Sequence, residues 1–558
     1  MSGHAPIGVD AFAVTADTYD VRDLTIARVL GKFAQATPDK VYLTEIASGR
    51  RYTYRELDAW TDRIAHALQG YGVARGQHTG VFLGNCAEHL ALFYALGKLG
   101  AVSVPVNTAA RGELLRYYLG QSDCETLVVE ASLAERAAEV LDQLPRLQRI
   151  VIVRTGEGEE GGIEPTAQRP VANFHAMVDA ASPQPFVPAQ PVRCTDLLLI
   201  AYTSGTTGPS KGSMLSHAAA LTYGTSAAET QGYRASDIFY VCLPLFHNNG
   251  LLAASGAALV CGASVVLSRR FSVSKFLGEI REHRATITNF LGAMSSFLWS
   301  QPPSPSDDDH CLRLVSMAPT PKYAAEFERR FGLCAMNNYG LSDYGMATSF
   351  TQWDPRGKLG SIGRPRRGVQ VKIVDDDDFE VPDGEVGEIV LRMDDPWRGT
   401  MGYYKMPEAT LASRRNLWFH TGDRGVRDAD GYFWFVDRKK DCIRRRGENI
   451  SAFEVEQIIA THPEVGDAAV FPVATATNDE EVAAVIVRKP GSTLDELALV
   501  AHCQKNMAYF MVPRYIQFRD AMPTTMSQKV EKFKLRAQLE ADLSQAWDRE
   551  AAGVVLAR

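Results

Sequence analysis

Asp196-Leu-Leu-Leu-Ile-Ala-Tyr202 runs straight into Thr203-Ser-Gly-Thr-Thr-Gly-Pro-Ser-Lys-Gly212. The first stretch is apolar on successive positions, the pattern of a parallel strand covered on both faces. The second is dense in glycine and hydroxyl side chains and carries one lysine. Such a loop can wrap backbone N–H groups and hydroxyls around phosphate oxygens, and Lys211 adds a cation. A plain surface loop uses the same residue types. Read as lying between a buried strand and a helix, however, this one predicts phosphate binding. It is not a Walker A loop, whose lysine follows glycine and precedes serine or threonine; here Lys211 stands between Ser210 and Gly212.

Outward from that loop the chain alternates strand and helix signals. Thr53 and Glu56 form a capping-box pattern ahead of Leu57, Trp60, Ile64 and Leu68 at helical spacing, with Gly70 as the stop. Gly80–Leu83, a helix over Ala87–Leu99 and Ala101–Val106 read as a β-α-β unit, which favours a parallel sheet. Ala263–Leu267, a helix over Ser274–His283 and Ala285–Asn289 read as another. Residues 157–169 and 301–309 read as loops. The aspartate run Asp375–Asp378 reads as a hairpin turn rather than a metal site, because no ligand spacing supports one.

The bulk figures bound the class. A chain of 558 residues exceeds one ordinary core. Its 46% hydrophobic and 22% charged residues are a globular balance. A net charge of −7 argues against a protein held to nucleic acid by phosphate contacts. Nine cysteines without metal-site spacing suggest reduced thiols. No signal-peptide pattern and no long apolar run is evident. These features predict a cytoplasmic, multidomain enzyme without a membrane span.

Further motifs occur after the loop in order: Leu243-Pro-Leu-Phe-His-Asn-Asn-Gly250, Ser316-Met-Ala-Pro-Thr320, Asn337-Asn-Tyr-Gly-Leu-Ser-Asp343, Trp418-Phe-His-Thr-Gly-Asp423, Asp437-Arg438, Arg444-Arg-Arg-Gly-Glu-Asn-Ile450 and Pro523–Arg536. Together they resemble the adenylate-forming (AMP-binding) superfamily of acyl-CoA synthetases, adenylation domains and beetle luciferases. The wording is most similar to bacterial short-chain and carnitine-type CoA ligases. The implied fold is α/β: a large N-terminal domain of layered β-sheets and helices over 1–437, a hinge at 438–441, and a small mobile α+β domain over 442–558.

The resemblance also implies roles. Thr203, Ser204, Gly205, Thr206, Thr207, Gly208 and Lys211 would hold ATP phosphates. Ala318, Pro319, Asn338, Tyr339, Gly340 and Ser342 would line the adenine, phosphate and acyl pockets. Asp343 replaces the family's glutamate as the Mg²⁺ residue. Asp423 and Arg438 would meet the ribose, and Lys440 would be the hinge pivot. Gly447 and Glu448 belong to a turn that reaches the active site for thioester formation, Gly447 admitting close backbone approach. His247 would gate or contact the acyl group, and Lys529 would be the catalytic lysine, preceded by Gln528 where the family has glycine. Met317 stands where relatives have glycine; it either packs in the core or shortens the acyl tunnel. The three arginines 444–446 either form a solvated face or meet CoA phosphates.

The implied reaction joins a small-molecule carboxylic acid to coenzyme A: ATP is consumed, an acyl-adenylate forms, pyrophosphate leaves, and the thiol then displaces AMP. Two alternatives stay open: an enzyme that loads a carrier-protein thiol, and an inactive nucleotide-binding homologue. Relatives commonly form a homodimer, on which the sequence itself is silent.

Overall fold

The computed structural model describes residues 14, 18–156, 161–203, 209–291, 294–438, 442–474, 480–523 and 530–556. The fold is mixed α/β, with a large N-terminal body of several sheets and a smaller C-terminal α+β part. Helix α1 (Tyr54–Gly70) starts with the expected capping box: Thr53 Oγ1 accepts from the Glu56 N–H, and Glu56 accepts from the Thr53 N–H. Strand β1 (His78–Phe82), helix α2 (Ala87–Leu99) and strand β2 (Val102–Pro105) form the parallel β-α-β unit. Every residue of α2 is buried, so it is apolar nearly all round rather than striped.

Strand β3 (Leu197–Thr203) pairs parallel with β2, as its apolar run implies. Past the loop the chain departs from expectation. It does not enter a helix but returns as strand β4 (Lys211–Ser216), antiparallel to β3, with Thr203 opposite Lys211. Only then does helix α3 (His217–Gln231) begin, capped by Ser216. The strands on either side of residues 204–208 therefore pair as an antiparallel hairpin. Gly212 through Ser216 alternate too weakly to announce a strand; pairing on both sides makes it one.

A second large sheet carries strands β5 (Ile287–Leu291), β6 (Leu314–Ala318) and β7 (Cys334–Leu341) in parallel, then β8 (Gly345–Phe350) antiparallel to β7. Phe290 and Met317 are register partners and join the buried cluster of Phe276, Phe327 and Phe331. Met317 is thus core, which removes it as a device for shortening a tunnel. Asp375–Asp378 is the hairpin turn expected, between Val369–Val374 and Val386–Met393. Strands β9 (Phe419–Arg427) and β10 (Phe433–Arg438) complete that antiparallel sheet and lead out of the large body.

Beyond, β11 (Cys442–Arg445) and β12 (Glu448–Ser451) form a two-stranded ribbon, followed by helix α4 (Ala452–Ala460) and a four-stranded sheet. This part packs against the large body. Ile443, Ile450 and Val455 share one buried cluster with Leu114, Leu115 and Ile200. No helix among the described residues is long and apolar enough to cross a membrane.

Candidate active site

The end of β7 turns sharply into β8, and this hairpin carries most of the candidate nucleotide residues. A side chain at Gly340 would lie 2.4 Å from the Gly345 carbonyl oxygen, so only glycine fits the turn. Tyr339, almost fully buried, donates from its hydroxyl to Asp423 Oδ2 at 2.9 Å. Asp423 is itself 3% exposed, and its backbone N–H donates to Thr421 Oγ1 at 3.0 Å. In the ladder Asp423 lies opposite Arg438, which brings the two backbones together. The Arg438 side chain lies outside the described residues, as do Lys440, Lys529 and Ser204, Gly205, Thr206, Thr207 and Gly208 of the loop.

Beyond Tyr339 the hairpin presents Asp343 toward the outgoing strand of the phosphate-type loop. Tyr403 links the two: its hydroxyl donates to Asp343 Oδ2 at 2.5 Å, and Lys211 Nζ lies 5.0 Å over its ring. Burial first, and the Asp343 charge second, push the Tyr403 phenol well above its usual range, so it stays a donor. Tyr403 is placed by backbone pairing with β4: the Met214 N–H donates to Gly402 O and the Tyr404 N–H to Gly212 O. Sequence reading missed Tyr403. The glycine-aromatic run Gly402-Tyr-Tyr404 was the available signal, but nothing local ties it to Asp343.

The small C-terminal part reaches the same place. Its ribbon turns through Arg446 and Gly447, both at positive φ, and sets Glu448 against His247, Nε2 to Oε2 being 3.1 Å. Burial would lower the His247 pKa; the charge and hydrogen bond of Glu448 outweigh it and hold the imidazole above its ordinary value. Asn248, next in line, donates to the Ser342 carbonyl oxygen at 3.0 Å, tying this segment to the Asp343 hairpin. Ala318 O accepts from Arg444 Nη2 at 3.0 Å, while Pro319 beside it is exposed. Asn338 accepts from Gln231 and Ser349 and donates to Ser316.

The arginine triplet is not a uniformly solvated face. Arg444 spans the two parts, Arg445 is buried in an ion pair with Glu481 at 2.7 Å, and Arg446 is half exposed beside Glu481 and Glu550. A second contact across the parts was not foreseen: Glu454, at the start of α4, accepts from the Ser210 N–H where the phosphate-type loop ends.

The arrangement can hold a nucleotide between the Tyr339–Asp423 pair and the Lys211–Tyr403–Asp343 group. His247 lies beside this space, under the Gly447 turn, with its imidazole on Glu448. No group of three or more metal-ligating side chains occurs among the described residues. A magnesium ion here would find one carboxylate and take its remaining ligands from water and phosphate oxygens, a habit suited to this ion.

Comparison with known proteins shows the family. Residues 30–404 match the AMP-binding enzyme family, and residues 454–529 match the AMP-binding enzyme C-terminal domain. The crotonobetaine/carnitine–CoA ligase of Citrobacter koseri is 32% identical over 499 residues, covering 87% of this chain and 93% of the relative. Among solved structures, o-succinylbenzoate CoA synthetase from Bacillus subtilis, bound with a product analogue, matches with a TM-score of 0.78 at 25% identity. It covers 91% of this chain and 98% of its own. A fatty acyl CoA synthetase of Mycobacterium tuberculosis matches with a TM-score of 0.66 at 27% identity, covering 94% and 99%.

Proposed function

The chain belongs to the AMP-binding enzyme family and is an AMP-forming acyl-CoA ligase, and we propose that it acts on a small, partly polar carboxylic acid. The observation that carries the reading is the Gly447–Glu448 turn docked on His247, beside the Tyr339–Asp423 pair. A thiol approaching along that turn meets an acyl group whose leaving nucleotide is held by the neighbouring strands.

A carboxylate is a poor acylating agent because its leaving group would be oxide. Its oxygen attacks the α-phosphorus of ATP, pyrophosphate leaves, and the mixed anhydride then has AMP as a good leaving group. Charge gathers on the phosphate oxygens, so fixed donors and cations aimed there do most of the catalysis. We assign the pyrophosphate to Thr203, Ser204, Gly205, Thr206, Thr207, Gly208 and Lys211, and the ribose hydroxyls to Asp423 and Arg438. Ala318, Pro319, Asn338, Tyr339, Gly340 and Ser342 are assigned to the adenine, phosphate and acyl pockets. Mg²⁺, held through Asp343, would neutralise phosphate charge when bound. The Tyr403 hydroxyl orients that carboxylate.

Lys529 is assigned to the adenylation step and the Gly447–Glu448 turn to the thioester step. Both belong to the small part, so they alternate at the site by rotation about 438–441, with Lys440 as pivot; 1–437 and 442–558 are then the two moving domains. His247 acts as a polar contact at the acyl end, held by Glu448, rather than as a base. The described cysteines carry no disulfide, which supports a reducing, cytoplasmic setting. A homodimer is the assembly we infer from the family resemblance.

The test is incubation with Mg-ATP, CoA and pooled carboxylic acids, followed by mass measurement. New acyl-CoA masses that vanish without ATP are expected. Pyrophosphate and acyl-adenylate without a CoA thioester would assign the thiol to a carrier protein, and ATP binding without turnover on any acid would sink the enzyme reading.

A further inference from the structure

Strand β5 places Asn289 and Leu291 on one face and Phe290, in the aromatic core, on the other. In register with β6, Asn289 lies beside Ser316 and Leu291 beside Ala318. That face looks toward the docked ribbon: an added side chain at Gly447 would meet Leu291 Cβ at 3.8 Å, and Ala318 O takes the Arg444 bond. Asn289 is therefore one step deeper on the wall that the ribbon covers.

Its side chain is 7% exposed and only half satisfied. Asn289 Nδ2 donates to Asn249 Oδ1 at 2.7 Å, and Asn249 follows His247 and Asn248 directly. The Asn289 Oδ1 atom is buried and has no hydrogen-bond partner among the described residues. The neighbouring Ser316 Oγ accepts from Asn338, and no hydrogen bond joins its hydroxyl to Asn289 Oδ1. A buried carbonyl oxygen without a donor is unfavourable, and on the wall of a substrate pocket a donor on the ligand relieves it. In this structure the Asn289 amide turns its nitrogen to Asn249 and leaves its oxygen as the free edge.

We propose that Asn289, oriented by Asn249, is a specificity residue that reads a hydroxyl on the acyl chain, so that the preferred substrate is a hydroxy acid. This rests on the ligase reading and narrows it. The free group is a single neutral acceptor. It suits a neutral donor, whereas a second carboxylate would face it with lone pairs only, and a cation would lose its hydration for one dipole.

The experiment measures pyrophosphate release by the full-length protein on matched four- to six-carbon acids, plain and hydroxylated at successive carbons. Wild type is expected to favour one hydroxylated position 10- to 100-fold in kcat/KM, roughly the discrimination of one buried hydrogen bond. Asn289→Leu should abolish that preference while the plain acid is used as well or better. Asn289→Ala, which adds no bulk, should do the same, and melting temperatures check that both variants fold. Absence of any hydroxyl preference in wild type, or equal losses on both acids in a folded variant, would overturn the assignment. Pyrophosphate release with plain acids in that case leaves the ligase reading standing; no release with any acid overturns both.

Discussion

The carboxyl group of Glu454 accepts a hydrogen bond from the Ser210 backbone N–H at 2.7 Å, joining residues 244 positions apart. One end is the close of the phosphate-type loop and the other is the first turn of α4. Docking of the small part therefore buries an acid beside the loop assigned to pyrophosphate. A bound polyanion there repels it, so this contact favours docking after pyrophosphate has gone.

Burial raises the Glu454 carboxyl to about 7 from an ordinary 4.5, against the opposing pull of its Ser210 contacts. The docked state thus holds a proton that the undocked state releases. Its advantage is full below about 4.5, falls as pH rises toward about 7, and is gone above that, by at most tenfold per pH unit. Glu454→Gln keeps an acceptor for Ser210 and removes this dependence. Dividing wild-type by variant thioester rates cancels the thiol's own ionisation; that ratio should fall between pH 5.5 and 7 and flatten above. A ratio flat over the whole range would refute the linkage. Added pyrophosphate should slow thioester formation more in wild type than in the variant.

Gly447→Ala should slow the thioester step several-fold and leave adenylation unchanged. Gly447 has φ +89, and its nearest neighbour to an added Cβ is Leu291 at 3.8 Å, an ordinary contact. Backbone strain of about 1–2 kcal/mol, not crowding, is the cause. Single-turnover assays started from carboxylic acid and from synthetic acyl-adenylate separate the steps.

Asp343→Asn should leave the fold intact, because the amide oxygen still accepts from Tyr403. Removing the charge should reduce adenylation by about 10²-fold and raise the magnesium concentration needed for half-maximal rate. An unchanged magnesium titration would take the metal role from Asp343.

Lys529→Ala should reduce adenylation by about 10²–10³-fold, the scale of a lost charge-stabilising donor. Thioester formation from supplied acyl-adenylate should survive. Equal losses in both steps would contradict alternation of the two domains.

Much was legible in the residues themselves. The capping box at Thr53 and Glu56, the all-apolar run Leu197–Ala201 and the β-α-β spacing around Ala87–Leu99 depend on neighbours a few positions away, so local chemistry announces them. The family resemblance that the motifs carry implies one site for Tyr339, Asp423, His247 and Glu448, and the structure pairs them two by two. Other features depend on partners hundreds of residues distant. The return of the phosphate-type loop as strand β4 needs β3 and the segment around Gly402. Tyr403 acquires its role only beside Asp343, and Glu454 only beside Ser210. The facing of Met317 turns on a strand register that no periodicity in five residues can fix. Local sequence determined which elements form and which chemistries are present; long-range packing decided which side chains meet, because contact between distant segments is a property of the assembled sheets.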